Sequence, residues 1–129
     1  MYSKIDGADF DPAEGAIIPF SLSVEGLEGT GKTYFSLMTA PTPVVHINYS
    51  DRTAKPYLYD MDEKRVKGTK LYDFRPATTA GWSRDEGRES LAQLTSIARE
   101  EMIDGKLLGG TFVIDSGSSW WDVIQDVYV

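Results

Sequence analysis

The chain has 129 residues, 41% of them hydrophobic and 26% charged, enough for one compact domain with a buried core and too ordinary in composition for a disordered or low-complexity protein. Lysine and arginine number 13 against 20 aspartates and glutamates, a net charge of −7, so a nucleic-acid backbone is not the default partner of this chain alone. Cysteine is absent and His46 is the sole histidine, which excludes disulfides, thiolate zinc sites, a cysteine nucleophile and a histidine metal cluster, and leaves oxygen ligands for any metal.

Residues 1–16 carry Asp6, Asp9, Asp11 and Glu14 among glycine and proline breakers and read as an irregular N-terminal arm. Residues 17–129 read as the folded domain. Ile18, Phe20, Leu22 and Val24 alternate with Pro19, Ser21 and Ser23, which predicts a first strand over Ile17–Val24. A glycine-rich loop follows, then a short helix over Thr33–Thr39 that Pro41 and Pro43 stop. The β-branched and aromatic run Val44–Tyr49 predicts a second, buried strand. A helical turn around Pro56–Lys64 and an extended piece near Lys70–Phe74 come next.

Ser83 and Glu86 have capping-box spacing. Leu91, Leu94, Ile97, Ala98 and Met102 continue at helical intervals until Asp104-Gly105, so a long helix is expected here. Thr111–Asp115 is a short apolar run closing on an acid, as in a buried parallel strand. Trp120, Val123, Ile124 and Val127 then lie on one face of a helix over Ser118–Val129. Strands alternating with helices predict an α/β fold with a mainly parallel sheet flanked by helices. No apolar run is long enough to span a bilayer, and the chain reads as cytoplasmic with no membrane role.

Gly26-Leu27-Glu28-Gly29-Thr30-Gly31-Lys32-Thr33 matches the P-loop (Walker A) pattern at every defined position, between a predicted strand and a predicted helix. The chemistry explains the residue types. Glycines, including Gly29, let successive backbone N–H groups turn inward onto phosphate oxygens. Lys32 supplies a point charge for the β- and γ-phosphates, the Thr33 hydroxyl can ligate Mg²⁺, and the helix N-terminus adds its partial positive charge. The expected ligand is a nucleoside triphosphate, with Mg²⁺ as its cation. Such a site needs an acid at the end of a hydrophobic strand on the far side of the metal. Asp115 meets that description, with an ordinary helix-capping acid as the alternative, and Ser116 follows where many motor ATPases carry a glutamate.

These segments together resemble the RecA-like and AAA-type ATPases, in particular short bacteriophage recombination ATPases. The resemblance is carried by Val24–Thr33, by Pro43–Arg52 with its Ser50-Asp51-Arg52 ending, and by Phe112-Val113-Ile114-Asp115-Ser116. It implies ATP hydrolysis in DNA recombination within a bacterial host cytoplasm. Asp115 would organise Mg²⁺ and its water, and Ser116 would belong to the same site. Members of that family take a water-activating acid from the end of the strand after the P-loop helix, where Asp51 is the nearest carboxylate; a surface turn acid is the other reading of Asp51.

In the family, the strand following the Walker B strand lies between it and the P-loop strand. The sequence supplies no such strand, and Val127-Tyr128-Val129 closes it in mid-pattern, so a RecA-like core incomplete at its C-terminal end is expected. A homo-oligomer or a completing partner chain would then supply the rest, and single-stranded DNA would bind only in the complete assembly. An arginine finger given in trans is worth roughly 10³ to 10⁵ in rate.

The basic stretch Lys64-Arg65-x-Lys67-x-x-Lys70 is offset by Asp60, Asp62 and Glu63 and reads as solvated surface. Trp120 and Trp121 read as packing residues, and His46 as a satisfied core residue. Two other functions fit the motifs. One is a small-molecule P-loop phosphotransferase using Arg75, Arg84 and Arg88 in a lid. The other is a catalytically silent, nucleotide-dependent interaction module.

Overall fold

A computed structural model describes residues 3, 4, 6, 8, 21–26, 31–49, 53–74, 81–104, 107 and 109–128. Helix α1 spans Lys32–Thr39, strand β1 Val44–Asn48, helix α2 Lys55–Leu58, helix α3 Glu63–Lys67 and strand β2 Thr69–Asp73. Helix α4 spans Arg84–Ala98 and runs into a π-helical turn over Arg99–Ile103; strand β3, Thr111–Asp115, and helix α5, Gly117–Tyr128, follow. The α/β expectation is met by a parallel three-stranded sheet of order β2-β1-β3.

The central strand explains the apolar run in the sequence. All five residues of β1 are buried, because neighbours hydrogen-bond along both edges and helices cover both faces. Side chains alternate across the sheet. Val45 and Ile47 pack on one face with Leu94, Val123 and Val127 from α4 and α5, while Leu37, Ala54 and Met61 form the core of the other face. Among the described residues, no helix is long and apolar enough to cross a membrane.

Helix α1 starts at Gly31, whose φ of 90° is left-handed and therefore suits glycine. At its far end the Arg65 guanidinium donates from Nε to Leu37 O at 2.6 Å and from Nη2 to Ala40 O at 2.8 Å. This satisfies carbonyls that the helix leaves unpaired. The basic stretch around Arg65 is thus not uniformly solvated surface. Lys67 does make an exposed pair with Glu63, but Lys70 meets Glu101 at 2.9 Å. The π turn carries Glu101 inward, where it also accepts from the Tyr72 hydroxyl at 3.3 Å.

Ser83 caps α4 by accepting from Glu86 N, as the spacing predicts. Where α4 crosses α5, Gly87 lets the helices approach: a Cβ there would lie 2.9 Å from Val127 Cγ2 and 3.3 Å from Val123 Cγ1. Alanine gains about 1 kcal/mol of helix propensity over glycine, but overpacking costs about 1–3 kcal/mol. Gly87→Ala is therefore expected to lose about 1 kcal/mol net in urea denaturation, the packing cost exceeding the propensity gain.

One expected element differs. Of Ile17–Val24, residues 17–20 lie outside the described residues, and Ser21–Val24 are irregular and exposed, with Leu22 at 67% and Val24 at 45%. Alternation gives a segment the pattern of a strand, but only a partner edge makes it one. The helical turn expected around Pro56–Lys64 forms as two short helices, separated where the Asp62 side chain accepts from Arg65 N and starts α3.

Candidate functional site

The carboxyl ends of the three parallel strands and the N-terminus of α1 converge. Register places Asp73, Asn48 and Asp115 side by side as the last residues of β2, β1 and β3, all facing the same side of the sheet. This is where open α/β sheets bind ligands.

Of the predicted loop, Gly26, Gly31, Lys32 and Thr33 are described, whereas Leu27, Glu28, Gly29 and Thr30 lie outside the described residues. Lys32 Nζ donates to Gly26 O at 2.6 Å, six positions earlier in the sequence. Thr33 Oγ1 donates to Asp115 Oδ2 at 2.5 Å, across 82 positions of sequence. Two residues singled out separately from the sequence are thereby one polar pair.

His46 Nε2 lies 3.4 Å from the same Asp115 oxygen, an electrostatic contact whose geometry falls short of a full hydrogen bond. Among the described residues neither imidazole nitrogen of this fully buried residue has a hydrogen-bond partner. The expectation of a satisfied core histidine is corrected here: it is buried, but it abuts the site. Burial pushes the Asp115 carboxyl up, yet His46, the Thr33 hydroxyl and the Lys32 charge outweigh it and hold the carboxyl below its ordinary 3.8.

The sign of the linkage follows. A carboxyl lowered on folding adds stability that is complete above its unfolded value and is lost as pH falls through its folded one. The wild type should therefore lose stability relative to Asp115→Asn as pH drops below about 4, with no relative change between pH 5 and 7. Chemical denaturation of both proteins across that range is the measurement.

Asn48 Nδ2 donates to Asp73 Oδ1 at 2.6 Å, and Thr53 Oγ1 donates to Asp73 Oδ2 at 2.8 Å. Tyr49 N donates to Asp115 O at 2.6 Å and fixes the end of β3 against β1. Sequence reasoning missed Asn48 and Asp73. The available signal was their position as polar closers of two strands, which becomes informative only once the strands are known to be parallel and in register.

Ser116 sits beside Asp115, but its hydroxyl accepts from Ser119 N at 3.3 Å and so caps α5. Its observed work is structural. Asp51 and Arg75 lie outside the described residues. Arg84 donates to Val127 O and Arg88 is exposed on α4. Trp120 packs against the core, whereas Trp121 is 55% exposed.

Among the described residues, no group of three or more histidine or acidic side chains could enclose a metal on its own. The donor set that does exist, a threonine hydroxyl bonded to a carboxylate, is hard oxygen. It fits Mg²⁺, which takes one or two protein oxygens and completes its shell with phosphate and water. No family model matches the chain, and neither curated proteins nor solved structures yield a match.

Proposed function

We propose that this chain binds ATP with Mg²⁺ through Gly26–Thr33 and Asp115, and hydrolyses it as a module of a phage-type, RecA-like DNA recombination protein. The observation that carries the nucleotide reading is the 2.5 Å bond between Thr33 and Asp115. A threonine in the first turn of a helix is bonded to an acid closing a distant parallel strand, and the P-loop mechanism uses that pair of residue types to hold Mg²⁺. The recombination role is supported by the resemblance of the motifs alone.

In this reading Lys32 leaves Gly26 O for the β- and γ-phosphates, and the amides at the start of α1 supply further donors. Thr33 and Asp115 would hold the cation, and the chemistry it would supply is positive charge against the transferred phosphoryl group. Thr33 donates its proton to Asp115 and keeps hydroxyl lone pairs for the metal side. Asn48 and Asp73 form the polar wall beside them.

The test is calorimetric titration of Mg-ATP into the wild type and Asp115→Asn, with phosphate release followed in the same samples. Binding with slow release that the variant loses supports an ATPase. Binding with no release in any oligomeric state selects the silent interaction module, and transfer of phosphate to a nucleoside selects the phosphotransferase. If no nucleotide binds, the proposal is wrong.

A further inference from the structure

We infer that His46 is a positioning residue for the cation side of this site: its Nε2 and the Thr33 hydroxyl converge on Asp115 Oδ2, turning the other carboxylate oxygen, Oδ1, toward Mg²⁺ or a Mg²⁺-bound water. The inference rests on the nucleotide reading above.

Three observations carry it. His46 is in register with Leu71 on β2 and Val113 on β3, both apolar, so a hydrocarbon would suit this position and avoid burying unpaired nitrogens. Its register partner on β3 is Val113, yet Nε2 comes within 3.4 Å of Asp115, two residues further on. The imidazole therefore leans along the strand toward the carboxyl end of the sheet, in the direction strand side chains can take. Finally, Thr33 and His46 approach the same oxygen, Oδ2.

One contact leaves a carboxylate free to swing about its terminal torsion. Two contacts on one oxygen from different elements, α1 and β1, set its plane. Partners that hold a metal-binding carboxylate from behind tune affinity without touching the metal. The lowered carboxyl of Asp115 is consistent with polar groups gathered on it.

The experiment is Mg²⁺ titration of ATP binding, read by calorimetry with a non-hydrolysable ATP analogue, for the wild type, His46→Leu and His46→Gln. Gln Nε2 can reproduce the imidazole Nε2; leucine fills the space without a donor. The expected result is a roughly 10-fold higher Mg²⁺ requirement for His46→Leu and a shift within about twofold for His46→Gln. Binding of the analogue in EDTA should be unchanged in both.

A Mg²⁺ requirement unchanged in His46→Leu, or shifted equally in both variants, overturns the role of His46 while leaving the nucleotide site standing. Absence of nucleotide binding by the wild type overturns both. His46→Met serves as a second donor-free variant of similar volume. If neither donor-free variant folds, the histidine belongs to the core and the inference fails.

Discussion

Lys32→Ala is expected to weaken Mg-ATP binding by about 10- to 100-fold, since a hydrogen bond to a charged group contributes about 1.5–3 kcal/mol and each 1.4 kcal/mol is tenfold. Folding should be almost unaffected. The bond from Lys32 Nζ to Gly26 O is exposed, and changes away from the core usually move stability within about 0.5 kcal/mol. Mg-tripolyphosphate should lose as much affinity as Mg-ATP, because the lysine charge meets phosphate and not the base. Calorimetry with both ligands, alongside a thermal melt, checks each part. Undiminished affinity in the variant would mean that Lys32 does not meet the phosphates.

Among the described glycines, Gly110→Ala should cause the largest loss of stability. A Cβ at Gly110 would come 2.2 Å from Pro43 O, and that obstacle is backbone. It cannot swing aside, because Pro43 O accepts from Thr111 N at 2.9 Å and Gly110 N is itself bound to Leu107 O at 2.8 Å. The cost should reach the upper end of the overpacking range, about 3 kcal/mol, or roughly 10 °C in melting temperature for a domain of this size. The neighbouring Gly109 is a control. Its φ is 78° with nothing near the Cβ position, so Gly109→Ala carries only the left-handed penalty of about 1–2 kcal/mol. Equal effects at the two positions would show that the approach of Pro43 to Gly110 is looser than described.

The regular elements were largely legible because their signals are local. Ser83 and Glu86 mark the start of α4, the β-branched run marks β1, and Thr111–Asp115 marks β3. Thr33 and Asp115 were legible as separate motif residues, each with a chemical reason for its place. Their direct bond was not, since it depends on the sheet bringing together residues 82 positions apart.

What stayed hidden depends on tertiary partners. Nothing local distinguishes Arg65, which caps α1, from Lys67 beside it, which makes an exposed pair. Nothing in the pattern of Leu22 and Val24 reveals that they are exposed, because alternation is indifferent to whether a partner edge exists. His46 was read from its apolar neighbours as core. Its burial was legible; its lean toward Asp115 was not, because that needs the register of β1 against β3.

The two ends of α1 are anchored to different parts of the sheet. Thr33 ties the first turn to the end of β3, and Arg65 ties the last carbonyls to the helix that leads into β2. A helix of eight residues is only about 12 Å long. Fastened at both ends over that length, it links the carboxyl end of β3 to the helix that leads into β2. A displacement of the first turn of α1 would therefore be felt at α3, which leads into the edge strand β2 on the opposite side of the sheet from Asp115.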